Sequence, residues 1–132
     1  MTINVVVVDS AKLPEGVEFP PLGTAKYGWE QYLQPVDEDI AVRCWQADVL
    51  VVLSSAINRA HFDKMPRLKL LIVAGEACKL LDQEAAQKQG VELLAFPDEK
   101  YDEPGEARDL CKRISKAIDH YIRNFENNGV TP

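Results

Sequence analysis

A chain of 132 residues has the length of one domain, and 46% hydrophobic with 27% charged residues is the make-up of a globular protein with a core. A formal net charge of −6 leaves no basic excess for nucleic acid or for anionic lipid. The opening MTINVVVVDS has neither the charged flank and long apolar run of a leader nor the length of a membrane span, so a cytoplasmic location is expected.

Residues 3–8, INVVVV, are a continuous β-branched run, the mark of a strand buried on both faces. Pro14, Gly16, Pro20, Pro21 and Gly23 then break the chain into a loop. Tyr27 to Leu33 fits an edge strand, although Trp-Glu-Gln-Tyr fits a helix equally well. Asp37, Glu38 and Asp39 open a short helix carrying Ile40, Val42, Arg43 and Trp45. Acidic residues suit the positive end of a helix, and that accounts for the triplet better than a metal does. Cys44, Cys78 and Cys111 are odd in number and far apart, which fits reduced thiols rather than disulfides or a zinc site.

Strand and helix then alternate. The pattern predicts strands over 48–53, 68–74 and 91–95, with helices over 58–65, stopped by Pro66, and over 80–89, closed by Gly90. Short joints of this kind imply parallel strands with right-handed crossovers. The fold class is α/β: a flavodoxin-like, doubly wound, five-stranded parallel sheet in the order 2-1-3-4-5. After an acidic linker, Pro104 starts a long C-terminal helix. Ala107, Leu110, Cys111, Ile114, Ala117, Ile118, Tyr121, Ile122 and Phe125 form one apolar stripe along it, and Asn127, Asn128 and Gly129 end it. Residues 1–97 are thus read as the sheet domain, and 98–132 as a linker and helix packed on it. A helix over 104–126 spans about 35 Å against about 17–20 Å for a strand. Either the helix lies obliquely across its own sheet, or its end overhangs, with Tyr121, Ile122 and Phe125 as a surface for self-association.

Ligands of such sheets bind beyond the carboxyl ends of the strands. Asp9 and Ser10, Ser54 and Ser55, Gly75 to Cys78, and Pro97 with Asp98 are placed there. No acceptor aspartate follows the third strand and no lysine follows the fifth, which excludes a phosphorylated receiver. Asp9-Ser10-Ala11-Lys12-Leu13-Pro14 is no flavin phosphate loop, and neither GxGxxG nor GxxxxGK[ST] occurs. His61 and His120 read as surface residues. Cys78 reads as a structural thiol, since activation would need the next helix to aim its N-terminus at it.

Ordered segments carry a resemblance. ADVLVVLSS, MPRLKLLIVAG and LLDQEAAQKQGVELLAFP, with the opening VVVVDSAKLPEG, are similar to the substrate-binding domain of the D-isomer-specific 2-hydroxyacid dehydrogenases over most of residues 3–97. The resemblance implies that the glycine-containing loop after the fourth strand holds a substrate carboxylate through backbone N–H groups. Carried over, that loop is Gly75, Glu76, Ala77, Cys78 and Lys79, with Ser54 and Ser55 beside it, and the ligand is a small anion. Ala77 stands where a second glycine is common, Cys78, Lys79 and Leu80 replace a polar run, and Ala95 replaces an asparagine. Glu76 adds a negative charge that Lys79 offsets. In the family a Rossmann domain binds NAD and supplies the catalytic Arg, Glu and His. Only residues 98–132 follow Pro97, so this sequence offers no positions for those groups, for the cofactor or for a metal. The expectation is a stand-alone relative without dehydrogenase activity, acting in binding or regulation. The alternatives are an oxidoreductase component completed by a separate NAD-binding chain, and a structural dimer module built on the tail helix.

Overall fold

The computed structural model describes residues 3–23, 27–33, 43–97 and 101–127. The acidic triplet at 37–39, Asp98, Asn128 and Gly129 lie outside the described residues. Five parallel strands form one sheet in the order β2-β1-β3-β4-β5: β1 (Ile3–Val8), β2 (Tyr27–Tyr32), β3 (Val49–Val52), β4 (Leu70–Ala74) and β5 (Glu92–Phe96). The helices are α1 (Arg59–Asp63), α2 (Gln83–Lys88) and α3 (Pro104–Asn127). This is the α/β architecture and strand order that the alternation of elements predicts. The segment from Tyr27, left open between strand and helix, is the edge strand β2, paired with β1 from Ile3↔Tyr27 to Val8↔Tyr32.

Valine-rich strands make sense here because each strand feeds two cores. Val6, Val8, Leu50, Val52, Leu71 and Val73 face α1 and α2, meeting Phe62, Met65, Ala85 and Ala86. Their neighbours Val5, Val7, Val49, Val51, Leu70 and Ile72 point the other way, onto Leu110, Ile114, Ile118 and Ile122 of α3. A side-chain period of two in a doubly covered sheet leaves no polar position, hence the unbroken β-branched runs.

Two helices differ from the sequence pattern in instructive ways. α1 begins in a capping box: the Asn58 side chain accepts the Ala60 and His61 N–H groups, and His61 Nδ1 accepts the Asn58 N–H at 3.1 Å. This holds His61 inside at 5% exposure, so it is not the surface residue that its position in a short helix suggests. His120 does lie on the surface, beside Asn124. α2 starts at Gln83 instead of Leu80. Leu81 makes a parallel bridge to Ile57, Asp82 N–H donates to the Ile57 carbonyl, and the Asp82 side chain caps Ala85 N–H. Tertiary pairing outcompetes helix propensity over those three residues. Gly90 closes α2 at φ +74°, the left-handed conformation expected of it.

α3 is capped by Glu103, whose carboxylate accepts the Gly105 and Glu106 N–H groups. Those two bonds hold its acidity stronger than an ordinary glutamate's. The apolar stripe of α3 lies on its own molecule. Ala107, Leu110, Cys111, Ile114, Ile118 and Ile122 are fully buried. Towards its start, α3 meets the chain's own loop: Val17 packs with Ala107 and Cys111, and Leu13, Phe19 and Tyr101 close round them. Leu13, Val17 and Phe19 thus cover the start of the helix, and the side chain of Phe125 lies outside the described residues. Ile122 belongs to the core and Tyr121 is half-buried against it, which corrects the expectation that both overhang the sheet.

Candidate functional site

The carboxyl ends of β1, β3 and β4 bring together Asp9, Ser54, Ser55 and the turn of 3-10 helix over Gly75–Lys79. Asp9 follows β1 in a left-handed conformation, φ 67° and ψ 27°, which a residue other than glycine rarely adopts. Its side chain is 1% exposed and reaches the loop after β3. One oxygen accepts the Ser54 N–H at 2.9 Å and the Ser55 N–H at 2.7 Å, and the other accepts the Ser55 hydroxyl at 2.7 Å. Ser10, the next residue, is also buried, and its Oγ has no hydrogen-bond partner among the described residues.

On the other side of the mouth, Tyr101 covers Gly75. Its hydroxyl donates to the Leu53 carbonyl. Gly75 has φ +58°, and a Cβ there would lie 2.8 Å from Tyr101 Cε1, so this position needs glycine on both counts. Burial pushes the acidity of Tyr101 below that of a free tyrosine. The negative charges of Glu76 and Asp9 push it further, and Cys78 adds to them. Glu76 and Asp9 thus both bring negative charge to the surroundings of Tyr101. Glu76 and Lys79 are exposed, Ala77 is buried, and Cys78 is half-buried within the 3-10 turn. Because α2 starts only at Gln83, Cys78 is not in its first turn.

The sequence placed Ser54, Ser55 and Gly75–Lys79 beyond the strand ends, and they lie there. It missed Tyr101, and it missed that Asp9 holds both serines. One sign was available: Tyr101 is the lone aromatic residue in the acidic stretch from Asp98 to Glu103. An open cleft of about 510 Å³ between α1 and α2, lined by Arg59, Phe62, Asp82 and Lys88 among others, shares no lining residue with the mouth. Among the described residues no group of three or more His, Cys, Asp or Glu is arranged to hold a metal ion. No helix among them is long and apolar enough to cross a membrane.

The thiols sort by burial. Burial pushes Cys44 up to about 12 and Cys111 up to about 11, from an ordinary 9.0. The raised value leaves Cys44 with far less thiolate than an ordinary cysteine at the same pH, and thiolate is the reactive form. Iodoacetamide at pH 8 is expected to modify Cys78 first and to spare Cys44 and Cys111 while the protein stays folded. Peptide mapping by mass spectrometry checks this, and early labelling of Cys44 would contradict the buried placement.

The profile of the family "D-isomer specific 2-hydroxyacid dehydrogenase, catalytic domain" matches residues 5–106, a range from β1 into the first turn of α3. A Haemophilus influenzae protein named "Putative 2-hydroxyacid dehydrogenase" is 22% identical over 89 residues, covering 67% of this chain. This chain spans 28% of the length of that relative. The matched range contains β1 from Val5 onward, the other four strands whole, Asp9, both serines, the Gly75–Lys79 turn and Tyr101. The chain belongs to the D-isomer-specific 2-hydroxyacid dehydrogenase catalytic-domain family.

Proposed function

We propose that this chain acts in binding or regulation as a relative of the 2-hydroxyacid dehydrogenase substrate-binding domain, and does not carry out dehydrogenation by itself. One observation carries the reading. At the mouth to which the family resemblance assigns a substrate, the Ser54 and Ser55 amides are already bonded to Asp9. The remaining anion contact falls to the turn Gly75–Lys79, and there Glu76 opposes a carboxylate while Lys79 favours it. Such a mouth suits weak or selective binding of a small anion better than the tight positioning that hydride transfer demands.

A second reading is a component of an NAD-dependent 2-hydroxyacid oxidoreductase, completed by a separate NAD-binding chain. The family match through the whole sheet favours it, because the frame that would present the Gly75 turn to such a partner is retained. Calorimetry with NADH, followed by assay with a panel of 2-oxo acids, separates the readings. The expected result is no micromolar cofactor binding and no turnover by the purified chain. Turnover by homogeneous protein would overturn the first reading. Turnover appearing only when a co-purified NAD-binding chain is added back would establish the second.

A further inference from the structure

Asn4 is the only polar residue in the three central strands, β1, β3 and β4. Gly28, its register partner on β2, is the only glycine in the five described strands. Asn4 points to the face on which Val6 and Val8 meet the α1 and α2 core, where a polar group is costly unless it is bonded. Its Nδ2 donates to the Gln46 carbonyl at 3.3 Å, while its Oδ1 accepts no hydrogen bond among the described residues. A Cβ on Gly28 would lie 2.9 Å from that Oδ1, so the glycine leaves the amide its room. The room belongs to a cavity of about 300 Å³ at the amino-terminal end of β1 and β2, which shares no residue with the mouth. One wall is fixed: the Tyr32 hydroxyl donates to Glu30 Oε2 at 2.7 Å, and the Arg43 guanidinium lies 5.0 Å from the centre of the Tyr32 ring. Trp45 lines the cavity too and is 49% exposed, one of three large apolar side chains left bare among the described residues. An amide with an open acceptor, an oriented carboxylate and a bare indole suit a flat nitrogen heterocycle. Asparagine pairs with the amine and ring nitrogen of adenine through its donor and acceptor together, a carboxylate accepts from an amine, and bases stack on aromatic rings. We infer that this cavity binds an aminopurine as the free base, stacked on Trp45 with its amine edge on Asn4 and Glu30. The site goes beyond the reading of the mouth, and neither depends on the other.

Adenine is titrated into the isotope-labelled protein, with the Trp45 indole N–H and the Asn4 side-chain amide as readouts. Hypoxanthine, the same ring with a carbonyl in place of the amine, is the control. Adenine should move both signals saturably, and hypoxanthine should bind about tenfold more weakly or worse. Trp45→Ala removes the stacking surface, and Gly28→Ala displaces the Asn4 amide at a position whose backbone is not left-handed. Each should weaken adenine binding by about tenfold or more while the protein stays folded, with the Asn4 amide as the readout in Trp45→Ala. Adenine that leaves both signals in place would overturn the inference, as would equal affinity for hypoxanthine or unchanged binding in either folded variant. Shifts confined to the Gly75–Lys79 turn would overturn it as well. If Gly28→Ala does not fold, Trp45→Ala, at an exposed position, decides the matter.

Discussion

Replacing Ile118 with alanine is expected to lower the stability of the protein by about 2–5 kcal/mol, the range for removing a fully buried isoleucine side chain and leaving a cavity. Ile118 sits at the middle of the contact between α3 and the sheet, with no exposed surface, between Ile114 and Ile122, which are equally buried. A domain of this size has about 5–15 kcal/mol in total, so the loss removes a large part of it. Urea unfolding followed by circular dichroism measures the effect. Ile122→Asn should be at least as damaging, because it places an amide in the same apolar layer. Both variants should fail by unfolding. If α3 is instead an assembly surface, sedimentation will show Ile122→Asn as a folded protein of lower mass, and the packing described here would be wrong for that end of the helix.

The second large effect is expected at Gly75. Alanine there must adopt φ +58°, costing roughly 1–2 kcal/mol, and its Cβ would meet the Tyr101 ring. The ring is anchored by its bond to the Leu53 carbonyl, so moving aside forfeits about 1 kcal/mol more. A total loss of about 2–3 kcal/mol follows for Gly75→Ala. A double-mutant cycle isolates the clash: with Tyr101→Ala in place the Cβ has room, and the two losses should sum to less than their separate values by about 1 kcal/mol. Strict additivity would mean that Tyr101 does not lie over Gly75.

How much of this was legible beforehand depends on the range of the interaction responsible. The strands were plain, because the runs at 3–8, 48–53 and 68–74 are continuous and apolar, and only a doubly covered sheet uses such runs. Strand order followed from the flavodoxin-like doubly wound class that five alternating strands and helices suggest. Where the signal was local but two periodicities fitted, as at Tyr27 to Leu33, the pairing with β1 decided the matter. The misplacements arise from contacts that periodicity does not show, one across the chain and one local. Leu80 and Leu81 look helical until Leu81 pairs with Ile57. His61 looks exposed until its ring turns back to cap its own helix. The mouth was found as a place but not as an arrangement. Asp9 and Ser54 are 45 residues apart, and Tyr101 and Leu53 are 48 apart, so neither partnership leaves a trace in local pattern.

The position of α3 in the chain has a consequence for how the protein is made. The sheet's final strand ends at Phe96, yet much of the cover on one face of that sheet comes from a helix that runs on to Asn127, beside Leu13, Phe19 and Leu22 of the early loop. On a ribosome adding about 5–20 residues per second, the 31 residues from Pro97 to Asn127 take roughly 2–6 s to emerge. For that interval the nascent sheet presents Val5, Val7, Val49, Val51, Leu70 and Ile72 without the helix residues Leu110, Ile114, Ile118 and Ile122 that pack on them. The span is far longer than the microseconds in which strands pair or apolar chains collapse. A holding chaperone, or delayed closure of the sheet, is the natural requirement of such an order of synthesis. A circular permutant that places α3 ahead of β1 would remove that requirement.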